Sequence, residues 1–407
     1  MPSANGNQMN LFLPTEAPPL LKVVPVARLE GDAGRVWCVS WCPVANVLAS
    51  CSSDGSVKLW ACLSQDVQEG ADSSGRDERV TWSCIHTLDG EHSRTVRHVS
   101  WSPSGGFVAC ASFDRTVSVW KRSSDDTDCF EFELETVLDG HESEVKCVAW
   151  GTDNTLATCS RDRTVWVWDR VDVGEFECAG VLTGHAQDVK ACAWIPPLRG
   201  DRPVLLSCSY DNTVKLWTES HRRDDWFCSQ TLAHHEKTVW SIAVQPVEQS
   251  IDALCPGETV KKDERNIEDA VPICQPILCC GSDDCTVSFW ARDKDRKFRC
   301  VCALSGFAER SIYSVSWAPS MGLGTPCAMV ACGSGDNKLT LLGLHRSVCT
   351  GEVNANVVAE VPCAHEADVN SVAFSPTSAA SVGGNVGFLL ASGGDDCVVR
   401  LWHVSVA

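Results

Sequence analysis

Apolar residues in this chain come in short bursts, alternating with polar ones or running as β-branched clusters, and each burst stops at Gly, Asp, Ser or Pro. The stretch LATCSRDRTVWVWD, residues 156–169, sets the pattern: an apolar run, a polar turn, then an alternating run closing on tryptophan. A period of two with β-branched and aromatic residues predicts strands, and no long segment holds the 3.6-residue period of a helix. The chain is therefore read as all-β.

The same piece recurs seven times. LASCSSDGSVKLW ends at Trp60, VACASFDRTVSVW at Trp120, TLATCSRDRTVWVW at Trp168 and LLSCSYDNTVKLW at Trp217; ILCCGSDDCTVSFW ends at Trp290, VACGSGDNKLTLL at Leu342 and LLASGGDDCVVRLW at Trp402. A second piece precedes each copy, as in DGHESEVKCVAW and TGHAQDVKACAW. This Gly-His, Ser-x-Asp-x-Thr-Val and closing Trp pattern resembles the WD40 repeat, and seven copies imply a seven-bladed β-propeller. Each unit then gives strands a, b and c, and segments such as FECAGVL and WFCSQTL give strand d. The seventh unit ends at its strand c, so LKVVPVARL, about residues 22–29, is expected to supply the missing strand, close the ring and hide an edge open to aggregation. Residues 1–20 are read as a flexible N-terminal segment and 21–407 as the propeller.

In WD40 repeats the turn aspartate, here Asp54, Asp114, Asp162, Asp211, Asp284, Asp336 and Asp396, hydrogen-bonds the histidine of Gly-His, here His92, His141, His185, His235 and His365. Recurrence in most blades argues for internal bracing and against a catalytic triad. Asp32 and Ala308 replace the histidine in blades one and six, which are expected to be looser. Excess sequence at 61–80, 195–204, 247–275, 343–360 and 377–388 falls on one face as polar loops, leaving the opposite face compact.

Charge narrows the possible partners. Lys plus Arg number 34 against 53 Asp plus Glu, a net charge of -19 that disfavours nucleic acid and anionic membranes. The start of the chain lacks the basic-then-apolar order of a secretory signal and the arginines of a transit peptide, so its 25 cysteines are read as thiols of a reducing cytosol or nucleus. Cys51, Cys159 and Cys208 share one repeat position, and Cys110, Cys280 and Cys332 the neighbouring one; equivalent positions radiate around a ring and cannot converge on one ion. The local group Cys279, Cys280, Cys285, Cys300 and Cys302 lacks paired C-x-x-C spacing. No stably bound metal or cofactor is expected.

Against this acidity the compact face carries cations. The residue before each turn Asp gives one ring, with Phe113, Arg161 and Tyr210; the start of strand a gives a second, with Arg97, Lys146, Lys190 and Trp240. Arginine and lysine with aromatic neighbours suit an anionic protein segment. The bland alternative is that these cations pair with Glu144 and Asp188 on their own face.

Longer pieces go beyond the generic repeat: RTVRHVSWSPSGGFVACASFDRTVSVWK, LATCSRDRTVWVWD, GHAQDVKACAW and LSGFAERSIYSVSW. In this order they resemble the cytosolic iron-sulfur protein assembly WD40 (Ciao or Cia propeller) family along all seven blades. That resemblance implies a noncatalytic adaptor in the targeting complex that delivers [4Fe-4S] clusters to cytosolic and nuclear apoproteins. The partners it implies are a MIP18-type assembly protein, a HEAT-repeat scaffold and client proteins, some with a C-terminal aromatic tail. An adaptor of another complex, such as a ubiquitin-ligase substrate receptor or a chromatin reader, would share the fold and lack these pieces.

Overall fold

In the computed structural model, the structure describes residues 20–63, 81–124, 130–197, 202–220, 225–246, 276–319, 328–346, 352–376, 380–382 and 385–406. The segment 1–19 and most of the polar loops named above lie outside them. Among the described residues every regular element is a strand. They form seven antiparallel sheets: six are built from four strands in chain order, such as Val145–Thr152, Thr155–Ser160, Thr164–Asp172 and Glu175–Thr183 of blade 3, and that of blade 7 has five strands. The innermost strands pack side by side around the ring, and that of blade 7, Val369–Phe374, returns to that of blade 1, Val36–Trp41.

Closure occurs where the sequence placed it. Leu21–Glu30 pairs antiparallel with Val398–Val406, from Leu21 opposite Val406 to Glu30 opposite Val398, and joins the blade 7 sheet. The register shifts between Pro25 and Ala27, a bulge that absorbs the missing proline donor on this outer strand.

One blade cannot bury its own apolar faces. The seven apolar clusters each draw from two adjacent blades; one joins Cys147, Ala157 and Val165 of blade 3 to Val189, Cys192 and Leu205 of blade 4. Burial of a Val or Leu side chain is worth roughly 1.5–3 kcal/mol, so the ring is stabilised chiefly between repeats. Tryptophans at the end of strand a tie the same interfaces. The indole N–H groups of Trp101, Trp150 and Trp194 donate to the carbonyls of Ser40, Ser100 and Ala149 in the preceding blade, at 3.0–3.2 Å.

Within blades the expected bracing is present. In blade 3, Asp162 Oδ2 lies 2.8 Å from His141 Nδ1, His141 Nε2 lies 2.8 Å from Thr158 Oγ1, and Trp168 donates to that hydroxyl at 3.0 Å. Blade 1 keeps the relay with a different acid: Ser50 donates to Asp32 at 3.0 Å and receives Trp60 at 2.9 Å. Burial raises the Asp32 carboxyl to about 6. Blade 6 loses it. Ala308 and Leu342 replace the histidine and the tryptophan, and Thr340 Oγ1 is buried without a partner.

Two stretches read as insertions are largely strand. Leu339–Arg346 and Val353–Val361 form the outer hairpin of blade 6, and Ala380–Val382 pairs with Asn385–Gly394 in blade 7. Their extra length extends existing ladders, which satisfies backbone groups that a loop would leave to water.

Candidate functional site: a cationic and aromatic arc

The compact face is fixed by the backbone. In each blade the residue before the turn Asp donates its N–H to a carbonyl at the start of strand a, as Arg161 to Glu144 and Tyr210 to Asp188, both at 2.9 Å. The next position but one takes a left-handed conformation, at Arg115, Arg163 and Asn212 among others. That geometry ends a tight hairpin with a bulge and explains the pair of arginines: Arg161 belongs to the face, whereas Arg163 is an exposed residue at the left-handed turn position.

The structure joins the predicted residues into one arc across blades 1 to 5. The Arg97 guanidinium lies 4.9 Å from the Trp37 ring, Lys146 Nζ 4.0 Å from Phe113, and Lys190 Nζ 3.8 Å from Tyr210 and 4.8 Å from Trp240. Tyr210 meets Trp240 edge-on at 5.6 Å, and Trp240 meets Tyr313 at 5.3 Å. Cations held over aromatic faces are attracted to the ring quadrupole and lose part of their water without a buried counter-ion.

That crowding changes their chemistry. Burial pushes the Lys190 ammonium down to about 8, and Lys146 and Arg97 add repulsion that Asp188, 3.7 Å away, only partly offsets. Burial also lowers Lys146, with Glu144 opposing. The Ser143 hydroxyl, then the nearby Lys146 and Arg161, hold Glu144 at about 2, so it is a carboxylate throughout the physiological range.

Intramolecular pairing does occur. Arg161 reaches Glu144 at 3.3 Å, yet 57% of its side chain remains exposed against 15% for Glu144. A mostly exposed pair of this kind is worth about 0–1 kcal/mol and leaves guanidinium N–H groups free to turn outward. Glu144 therefore aims Arg161 more than it neutralises it. Two arginines absent from the sequence-based set share the face: Arg94 donates to the Phe113 carbonyl at 2.7 Å and to Glu144 at 3.4 Å, and Arg310 pairs with Asp368 at 3.0 Å. Both precede strand a by two residues, a repeat position that the other blades fill with Gly34, Ser143, Gln187, Lys237 and Ala367, so no pattern marks it.

The cysteines deliver a different cluster from the one that sequence spacing singles out. Cys279 and Cys280 lie on one strand, Leu278–Ser282, and belong to the apolar clusters on opposite sides of the blade 5 sheet. Cys147, Cys159 and Cys192 instead bring their sulfurs within 4.8 Å of one another, at the interface of blades 3 and 4. Cys147 and Cys159 face each other across two strands, while Cys192 comes from the next repeat at a position shifted by one. The offset hides the cluster from an alignment of repeats.

Comparison with known proteins fits this architecture. The family described as WD domain, G-beta repeat matches residues 23–61, 82–121, 132–169, 176–218 and 358–403. The chain is 37% identical to the probable cytosolic iron-sulfur protein assembly protein Ciao1 of Culex quinquefasciatus over 94% of its length and 98% of that protein. It is 32% identical to the probable cytosolic iron-sulfur protein assembly protein 1 of Vanderwaltozyma polyspora, over 94% and 99% of the two chains. The protein of the same name in Cryptococcus neoformans is 30% identical, over 95% and 99%. Full-length coverage on both sides, with seven blades in the same chain, means that the chain belongs to the cytosolic iron-sulfur protein assembly (Ciao1) family of WD40 propellers.

Proposed function

We propose that this protein acts in cytosolic iron-sulfur protein assembly as a noncatalytic adaptor, holding apoproteins against the machinery that delivers their [4Fe-4S] clusters. The observation that carries the reading is the cationic and aromatic arc from Arg97 to Trp240 on a chain of net charge -19. Such a surface recognises a carboxylate beside an aromatic ring, the chemistry of a client C-terminus ending in an aromatic residue. Arg161 takes the carboxylate bidentately, and the Tyr210 and Trp240 edges receive the ring. Names of full-length relatives support the cytosolic assembly role.

Within this reading the protein works in the cytoplasm, with a MIP18-type assembly protein and a HEAT-repeat scaffold as neighbours and nuclear apoproteins among its clients. The test is gentle purification of the C-terminally tagged protein from its own cells, with partners identified by mass spectrometry. Recovery of both neighbours is expected, and Arg161→Glu should abolish client capture while leaving the propeller folded. Recovery of ubiquitin-ligase or chromatin subunits in their place would overturn the assignment.

A further inference from the structure

We propose that Cys147, Cys159 and Cys192 form a buried three-thiolate site for a soft, closed-shell cation, with copper(I) the best match. Three sulfurs about 2.3 Å from a central ion lie about 3.8–4.0 Å apart. The observed limit of 4.8 Å thus needs side-chain adjustments of under about 1 Å to close on an ion. The Cys147 and Cys192 thiols donate to the carbonyls of Cys192 and Ala157, at 3.7 Å each, which holds both sulfurs at this interface. Binding an ion through the three sulfurs as thiolates releases their protons to water.

Coordination number and surroundings select the ion. All three sulfurs sit in the apolar cluster between blades 3 and 4, next to Ala157, Val165, Val189 and Leu205. Hard cations favour carboxylate oxygens, and the group holds three sulfurs and no carboxylate, while structural zinc takes four ligands. Three thiolates in a dry setting match copper(I). Cys147 is 2% exposed, Cys192 5% and Cys159 fully buried. His98, from the inner strand of blade 2, neighbours both Cys147 and Cys38, and its Nδ1 is buried without a hydrogen-bond partner. It lies outside the three-sulfur group.

The repeat supplies an internal control. Cys38 faces Cys51 across two strands of blade 1 as Cys147 faces Cys159 in blade 3. Cys38 Sγ lies 3.7 Å from the Val99 carbonyl, and Cys147 Sγ lies 3.7 Å from that of Cys192. Val99 therefore holds in blade 2 the place that Cys192 holds in blade 4, and the first pair lacks only its third thiol.

The test uses the full chain, reduced and anaerobic, titrated with copper(I) against a coloured copper(I) chelator. Exposed thiols such as Cys84, Cys178 and Cys228 bind alike in every variant, so the difference between variants is the readout. Cys192→Val should bind one equivalent fewer than wild type and lose the rise in melting temperature that copper(I) gives the wild type. Val99→Cys should bind one equivalent more. If circular dichroism shows that Cys192→Val does not fold, Cys147→Ser takes its place. Equal stoichiometry in wild type and the triad variant, or a folded Val99→Cys with no gain, would overturn the proposal.

Discussion

The two halves of the compact face use charge in opposite ways. From blade 2 to blade 4, Arg97, Lys146 and Lys190 rest on aromatic rings, and their acids, Glu144 and Asp188, are outnumbered. From blade 6 to blade 7 the acids are held down within the fold: Arg310 takes Asp368 at 3.0 Å, Arg35 takes Asp395 at 3.4 Å, and Asn370 donates to Asp395 at 2.7 Å. A cation over a ring can still accept an anion, because the quadrupole does not use up its charge. A cation in an ion pair must first give up its partner. In the proposed adaptor role the first arc is therefore the binding surface, and the second is closed on itself.

The largest break in this contrast comes from reversing the most enclosed cation. Lys190→Glu sets a carboxylate beside Asp188 and against two ring faces, and should weaken a labelled peptide ending in tryptophan with a free carboxylate a hundredfold or more, about 3 kcal/mol. Fluorescence anisotropy reads this directly, and equal binding by the variant would remove Lys190 from the site. Acidity provides a graded version. An ordinary lysine titrates at 10.5 and Lys190 at about 8, so the binding-competent ammonium is present below that pH and lost above it. Peptide affinity should fall by up to about tenfold between pH 7 and 9, and Lys190→Arg should flatten that profile.

Smaller changes sharpen the comparison. Arg161→Ala removes an exposed guanidinium already oriented by Glu144; a loss of about fivefold, near 1 kcal/mol, is expected, with melting almost unchanged. Amidating the peptide carboxylate should cost the wild type the same factor and this variant nothing further. On the closed arc, Arg310→Ala should shift affinity by less than about twofold, since its guanidinium already serves Asp368 and the Gly335 carbonyl. A large loss there would show that the second arc also binds.

Much of the fold was legible because its signals are local. The turn Asp, the left-handed residue after it and the closing Trp lie within one hairpin, so each repeat announced itself, and the unpaired strand c of blade 7 required a partner that only Leu21–Glu30 matched. Blade 1 was harder to read. Asp32 stands where other blades carry histidine, yet its carboxyl, raised to about 6 by burial, accepts the Ser50 hydroxyl and preserves the relay. The site was legible as a set of ring positions, though not as contacts: nothing in the spacing says that Lys190 bridges Tyr210 and Trp240 of two different blades.

The sequence by itself determined the seven repeats, the all-β class, the clasp and the residue types facing the compact side, since each follows from periods and turn chemistry within a few residues. Tertiary structure alone decided how neighbouring blades share side chains. It set which cations lie on rings and which lie on carboxylates, and it brought Cys192 to Cys147 and Cys159. The physical reason is the same in both cases: one blade cannot bury its faces alone, so interfaces between repeats, where strand positions meet out of step, hold the contacts that repeat alignment cannot reveal.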